Sequence, residues 1–238
     1  MNTHTEGCLI CGKEIIYLEK ERTFDCYICG TAHHSSAYCQ DNHYICDACH
    51  AQKGFLSITK HVSNTSSTNP IDIANKIMND SCINMHGPEH HYLVAAVLLA
   101  SYRNAGGQVD FAKALQTIAQ RAKNVPGGIC GLWGSCGAGI STGIFISAIT
   151  GANPLSEDEW ALANLATSNS LKTISSNGGP RCCKRNTFIA LTKTAHFIEN
   201  TFRIKLELPD TIVCHFSERN KECRKEKCLF HSGSSSVI

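Results

Sequence analysis

The sequence predicts an α+β protein in which a small N-terminal zinc-binding module, ribbon-like or treble-clef-like, precedes a mostly α-helical domain rich in cysteine and glycine. Cysteine pairs are concentrated before residue 50, whereas apolar residues at helical spacing dominate after residue 70. A polar stretch lies between these regions and has little to bury. We therefore expect a zinc-binding module at residues 1–60, a linker at 61–69, and a mainly helical metal and thiol domain at 70–238.

The first segment carries the most specific motifs. Cys-x2-Cys-Gly occurs twice, and a third group of ligands and a further Cys-x2-Cys pair follow. Two thiolates this close converge on one ion, and the glycine permits the tight turn between them. The potential ligands are Cys8, Cys11, Cys26, Cys29, Cys39, His43, Cys46 and Cys49.

These ligands suffice for two tetrahedral zinc sites, and two pairings are open. In the interleaved form, Cys8 and Cys11 join Cys39 and His43; in the sequential form, the first two cysteine pairs share one ion. We favour interleaving, because the pair Cys46-x2-Cys49 leads into a helix. A module of this kind either presents a docking surface or uses zinc in place of a hydrophobic core.

Helices are predicted in order along the second segment. Pro70 suits a first helical position, Asp110 suits an N-cap, and Ser156 with Glu159 forms an S-x-x-E capping box. The expected helices span residues 70–79, 88–104, 111–123, 156–175 and 183–202. Residues 204–208 and 211–216 predict a short hairpin around a Pro-Asp turn.

The glycine-rich centre of the chain is the predicted site of chemistry. Cys130 and Cys136 lie in PGGICGLWGSCGAGI, and Cys182 and Cys183 lie in GGPRCCKR. Soft thiolates in a shielded pocket suit an iron–sulfur cluster, for which we expect Cys130, Cys136 and Cys182 as ligands. Another metal, a thiol redox pair, or buried thiols beside a close helix contact at Gly139-x3-Gly143 are the alternatives.

Cys183 is then the thiol that handles substrate. Its flanking cations are expected to lower the thiol pKa, and Arg181 and Lys184 would stabilise anionic sulfur. His90 is the predicted proton carrier. The run His86-x2-Glu89-His90 also has the form of an inverted zincin motif, but Gly87-Pro88 places its first histidine before the helix begins.

The C-terminal segment offers three more thiols, Cys214, Cys223 and Cys228. They could hold zinc or a second cluster, or belong to a solvated tail of mixed charge that reaches back to the core. Acidic residues alternate with the basic ones here, so we do not expect this segment to be a nucleic-acid-binding arm.

Composition narrows the class of protein further. A formal charge of +2 and an aromatic content of 7% give no reason to expect nucleic-acid binding. The polar N-terminus lacks the pattern of a secretory signal, and the apolar stretches are too short or too interrupted to span a membrane. We expect a cytoplasmic protein, and in a reducing cytoplasm 15 cysteines favour metal or redox chemistry over disulfides.

Several motifs together resemble an uncharacterised cysteine-rich domain family of anaerobic bacteria and methanogenic archaea. They are CLICGK, CYICG, HYICDACH, HGPEHH, VPGGICGLWGSCGAGI, PLSEDEWALAN, GGPRCCKR and FSERNKEC. Members of that family occur alone or fused to S-adenosylmethionine-dependent methyltransferases or radical SAM enzymes. The resemblance implies a metal-linked or sulfur-linked role in an anaerobe, with such an enzyme as partner.

Two functions follow from the sequence. The first is redox or sulfur-transfer chemistry by a protein with N-terminal zinc and a central iron–sulfur cluster or other thiolate-ligated metal. The second is a non-catalytic zinc adaptor that docks on a methyltransferase or radical enzyme.

Overall fold

The computed structural model describes residues 7–232 and has the predicted α+β class. The ends of the expected first and last segments, residues 1–6 and 233–238, lie outside the described residues. The chain begins with an antiparallel hairpin of β1 (Ile15–Asp25) and β2 (Ala32–Cys39), in which Ile15 pairs with Cys39. Neither strand buries a side chain other than that of Cys39. The hairpin therefore has no hydrophobic core of its own.

Eight α-helices follow the hairpin in the part of the chain that the structure describes. They are α1 (Asp47–Asn64), α2 (Pro70–Met78), α3 (Glu89–Asn104), α4 (Phe111–Lys123), α5 (Ile129–Leu132), α6 (Gly137–Thr150), α7 (Asp158–Ser176) and α8 (Cys183–Phe202). Two short 3-10 turns, Ser217–Arg219 and Lys225–Lys227, lie in the C-terminal segment. None of the helices in the described part of the chain is long and apolar enough to cross a lipid bilayer.

Helix α3 is the centre of the helical domain. Every residue from Glu89 to Tyr102 is buried, because α1, α2, α4, α6 and α8 all pack against this helix. An all-round apolar helix is stable only when neighbours surround it. Helix α1, which begins at the N-terminal cysteines, continues to Asn64 and packs on α3, so it joins the hairpin region to the helical core.

Helices α6 and α7 make a close contact through small residues. A Cβ atom at Gly139 would lie 2.6 Å from Cδ2 of Leu171, and one at Gly143 would lie 2.8 Å from the carbonyl oxygen of Ala163. Only glycine lets the two helices approach this closely at these positions. The predicted close helix packing at Gly139-x3-Gly143 is confirmed.

Local signals located most helices correctly. The Asn69 side chain accepts hydrogen bonds from two backbone N–H groups at the start of α2, and Asp110 caps α4 by accepting from Lys113 N. The predicted capping box was wrong: α7 begins at Asp158, and the Ser156 hydroxyl accepts from Asn153 N in the preceding turn.

The predicted hairpin at 204–208 and 211–216 was also wrong, since the described residues form no strand there. Leu206, Ile212 and Phe216 are instead buried in the helical core. The Cys214 N–H donates to the Phe230 carbonyl at 2.7 Å, so this backbone bonds to the end of the C-terminal segment. The apolar alternation reflects packing on helices rather than pairing of two strands.

Candidate metal and thiol centres

The N-terminal ligands gather into two groups. Cys8, Cys11, Cys39 and His43 form one group, and Cys26, Cys29, Cys46 and Cys49 form the other. Within each group all ligand atoms lie within 4.8 Å of one another. This is the interleaved pairing that the sequence favoured, and either group could hold a metal ion such as zinc.

The two cysteine turns repeat one backbone geometry. Gly12 N donates to Cys8 O at 2.7 Å and Gly30 N to Cys26 O at 2.8 Å, and both glycines have a positive φ, of 74° and 69°. A residue with a Cβ rarely adopts this conformation. The glycine after each Cys-x2-Cys pair therefore permits the turn that brings its two thiols to one point.

Backbone amides also point at the sulfurs. Ile10 N donates to Cys8 Sγ at 3.4 Å, Asp41 N to Cys39 Sγ at 3.3 Å, and Cys46 N to Cys26 Sγ at 3.4 Å. Such bonds favour the thiolate over the thiol. Although desolvation raises the pKa of Cys26, the amides outweigh it and lower the pKa to about 6.

The ligand spacing fits a tetrahedral ion. Four sulfurs at about 2.3 Å from zinc lie about 3.8 Å from one another. The structure places Cys11 Sγ 3.4 Å from Cys39 Sγ, Cys29 Sγ 3.9 Å from Cys46 Sγ, and Cys8 Sγ 3.8 Å from His43 Nδ1. Donor type, number and spacing all match structural zinc sites.

Cys182, from the centre of the sequence, lies beside the cysteines of the C-terminal segment. Cys182 lines a pocket together with the three C-terminal cysteines, Cys214, Cys223 and Cys228. Cys130 and Cys136 do not line that pocket, although the two lie close enough to influence each other electrostatically. Among residues 7–232, three or more ligand atoms come within 4.8 Å of one another only in the two N-terminal groups.

Cys183 lies in the first turn of α8, and burial raises its thiol pKa to about 12. The expected lowering by the flanking cations was wrong, because desolvation by burial is the largest effect on this thiol. Arg181 lies over the Tyr17 ring at 5.8 Å and 3.9 Å from the Glu222 carboxylate, while Lys184 Nζ donates to Asn84 O at 2.9 Å. Desolvation dominates at this thiol.

The histidine segment precedes and opens α3. His86 lies before the helix, as predicted, so the inverted zincin arrangement does not form. His90 Nδ1 is 3.1 Å from Gly87 O, and burial lowers its pKa well below the ordinary value. Its Nε2 is buried without a hydrogen-bond partner. Because Cys183 is also hydrogen-bonded to the Gly87 backbone, the predicted thiol and proton carrier lie on either side of residue 87.

Several residues at these centres carried no recognisable sequence signal. Asn220 Nδ2 donates to Cys182 Sγ at 3.6 Å, and its Oδ1 is 3.3 Å from His86 Nε2. Asn186 Nδ2 donates to Cys136 Sγ at 3.2 Å. Each of these amides is far in sequence from the thiol that it contacts, so the spacing of residues could not identify it. Asn186 lies near Cys182 in sequence but contacts Cys136.

Fold and site together define a cysteine-rich protein with a two-site metal-binding module and a helical thiol domain. Residues 58–231 match a family of unknown function, DUF5714, and the chain belongs to this family. The match begins within α1, after the last cysteine of the N-terminal module. No curated protein matches the chain, and no solved structure does.

Proposed function

We propose that this chain is a metalloprotein of the anaerobic cytoplasm that carries two zinc ions in its N-terminal module and an iron–sulfur cluster, or another thiolate-ligated metal, in its helical domain. Its proposed role is redox or sulfur-transfer chemistry. The observation that carries the metal-binding part is the convergence of eight ligands into two groups with tetrahedral spacing.

Zinc in the module is proposed to be structural. Among the described residues 7–57, the apolar residues that are buried are Ala51 and four of the metal ligands, Cys8, Cys26, Cys39 and Cys46. An isolated two-stranded hairpin is at best marginally stable in water. Metal binding would therefore supply the folding free energy that this segment cannot obtain from hydrophobic burial.

The helical domain supplies the groups for chemistry. Cys183 is the proposed substrate-handling thiol, and the buried, unpaired Nε2 of His90 is the proposed acceptor and donor of its proton. Lys184 and Arg181 both interact electrostatically with Cys183, and they are the groups proposed to stabilise an anionic sulfur near the first turn of α8. These roles rest on the clustering of the four residues around Gly87 and the start of α8.

Metal analysis of protein purified without oxygen tests this proposal. We expect about two zinc ions per chain together with iron and acid-labile sulfide. Two zinc ions without iron or sulfide would refute the cluster. For the thiol, we expect Cys183→Ala to retain all metal and lose sulfur-transfer or redox turnover, whereas unchanged turnover would remove Cys183 from the mechanism.

A second function, that of an adaptor, is favoured by the exposed apolar surface of the module. Tyr27 is 64% exposed and Ile28 is 56% exposed, and both lie in the second cysteine turn. Exposed aromatic and aliphatic side chains on a rigid turn are typical of docking surfaces. The proposed partner is a SAM-dependent methyltransferase or radical SAM enzyme.

Binding of the purified chain to such an enzyme, measured by size-exclusion chromatography or calorimetry, tests the adaptor. Tyr27→Asp should abolish the complex, because it places a charge at the centre of the proposed contact. The matched control is Leu155→Asp, whose side chain is 93% exposed in the turn before α7. Equal binding by both variants would exclude this surface.

A further inference from the structure

We propose that Cys182, Cys214, Cys223 and Cys228 are the ligands of a [4Fe–4S] cluster that ties the first turn of α8 to the C-terminal segment. This assignment rests on the proposed function for the presence of a cluster, and it replaces the ligand set Cys130, Cys136 and Cys182 expected from the sequence. The four cysteines then form a single site, whereas the sequence analysis assigned Cys182 to the central site and the other three to a separate C-terminal site.

The four thiols face one pocket. Cys182 is the N-cap residue of α8, and the other three come from the segment that follows this helix. Cys214 is within electrostatic range of each of the other three. The chain returns to α8 because Phe216 and Phe230 are buried in the helical core, and the Phe230 ring packs edge-on against Phe188 at 5.3 Å.

Backbone amides are directed at these sulfurs as they are in the N-terminal module. Phe216 N donates to Cys214 Sγ, Lys225 N to Cys223 Sγ, and Arg185 N to Cys182 Sγ, each at 3.4 Å. The first two bonds repeat the spacing of two residues seen at Cys8 and Cys39. The loops thus direct backbone N–H groups at the sulfurs, and hydrogen bonds to sulfur are one means by which proteins set the potential of a cluster.

The ligand spacing in the pocket differs from that in the two N-terminal groups. In the N-terminal groups the ligand atoms already lie within 4.8 Å of one another, whereas the pocket cysteines do not form such a group among the described residues. A single zinc ion draws its ligands to about 3.8 Å, whereas a four-iron cluster holds its cysteines farther apart around itself.

The surroundings suit a negatively charged cluster. Apolar side chains, including Met85 and Phe216, shield the pocket, and its charged lining residues are two arginines, Arg185 and Arg224, and one acid, Glu222. Arg185 is 3% exposed and is fixed by hydrogen bonds from Nη2 to the carbonyls of residues 178 and 180. Four thiolates on an iron–sulfur core give a net anion, which buried guanidinium groups stabilise.

A short polar chain continues outward from the pocket. Asn220 donates to Cys182 Sγ at 3.6 Å and accepts the N–H of Glu222 at 3.0 Å, and the Glu222 carboxylate is 2.9 Å from His86 Nε2. Groups that bond to ligands in this way fix their orientation. Asn220 and His86 are therefore positioning residues for the cluster.

The test uses the full chain, expressed and purified without oxygen, with iron and sulfide analysis, absorption spectra and electron paramagnetic resonance after reduction. We expect about four irons and four sulfides per chain. Cys223→Ala and Cys214→Ala should lose most of the iron and the resonance signal. The matched control, Cys82→Ala, removes a cysteine that lies outside every group and should retain them. Zinc content and far-ultraviolet circular dichroism establish that each variant is folded.

The outcomes separate the ligand assignment from the proposed function. Iron retained in folded Cys223→Ala but lost in Cys130→Ala would overturn the ligand set while leaving a cluster in the domain. No iron in the unsubstituted chain would refute the proposed cluster altogether. A third zinc in place of iron, lost in Cys223→Ala, would confirm a four-cysteine site but overturn its assignment as a cluster.

Discussion

The interleaved pairing of the N-terminal ligands predicts different zinc stoichiometry for two double variants. Cys11→Ala with Cys39→Ala removes two ligands from one group, because their sulfurs lie 3.4 Å apart at the same site. Cys11→Ala with Cys29→Ala removes one ligand from each group. Both double variants delete two thiols, so the number of cysteines is matched.

The magnitude follows from the four ligands of each site. A structural zinc site contributes about 10–16 kcal/mol at neutral pH, so one ligand of four accounts for on the order of 3 kcal/mol. That loss weakens binding about 100-fold. A chelator of intermediate affinity should therefore leave about one zinc on the first variant and almost none on the second.

Native mass spectrometry after chelator challenge measures this difference directly. The unsubstituted chain should retain both zinc ions, and Cys82→Ala serves as the control for losing a cysteine outside the groups. The reverse pattern, with one zinc on Cys11→Ala/Cys29→Ala and none on Cys11→Ala/Cys39→Ala, is what sequential pairing predicts. That result would refute the geometry described above.

Two further predictions concern the helical domain. Gly137→Ala should lower the free energy of unfolding by about 1–3 kcal/mol, because a Cβ there would overlap the buried His91 ring; Gly131→Ala, where a Cβ meets open space, should change it little in the same denaturant titration. The second prediction concerns the thiol of Cys183. Because folding raises the pKa of this thiol from 9.0 to about 12, its contribution to stability is complete below pH 9 and is lost as the pH rises toward 12, at up to about 1.4 kcal/mol per pH unit. Unfolding curves from pH 8 to 11 should show this loss and show less of it in Cys183→Ala; identical slopes would mean that Cys183 is not buried as a neutral thiol.

The helices were predictable where local signals act within one turn. Asn69-Pro70 and Asp110 begin α2 and α4 because side-chain caps and proline act on neighbouring backbone groups. The strand β1 was not predictable by alternation, since its residues are nearly all at the surface and nothing on it repeats with period two. The two turns that contain the Cys-x2-Cys-Gly motifs lie just before and just after this strand.

The sequence predicted those parts of the candidate sites whose ligands lie close together in the chain. Cys-x2-Cys-Gly carries its own turn, so each N-terminal pair could be identified without any tertiary information. Cys182 and Cys214 are brought to one pocket by the burial of Phe216 and Phe230 against α8, which is a tertiary effect that no local spacing records. For the same reason the cations beside Cys183 did not predict its pKa, because the burial that raises this pKa is also a tertiary effect.

The family match allows the two metal-binding regions to be weighed against each other. Residues 58–231 contain all four cysteines of the C-terminal pocket and none of the eight ligands of the N-terminal groups. The features that the family model describes therefore lie in the helical domain and not in the N-terminal metal-binding groups. The two regions share no ligand, although Arg181, next to Cys182, touches the Tyr17 ring of β1.

We accordingly expect Cys11→Ala/Cys29→Ala to lose zinc while keeping its iron, as measured by metal analysis of the same anaerobic preparation. Loss of iron together with zinc would show instead that the module holds the pocket in place through the contact between Arg181 and Tyr17, and Arg181→Met in an otherwise unsubstituted chain would then reproduce the loss.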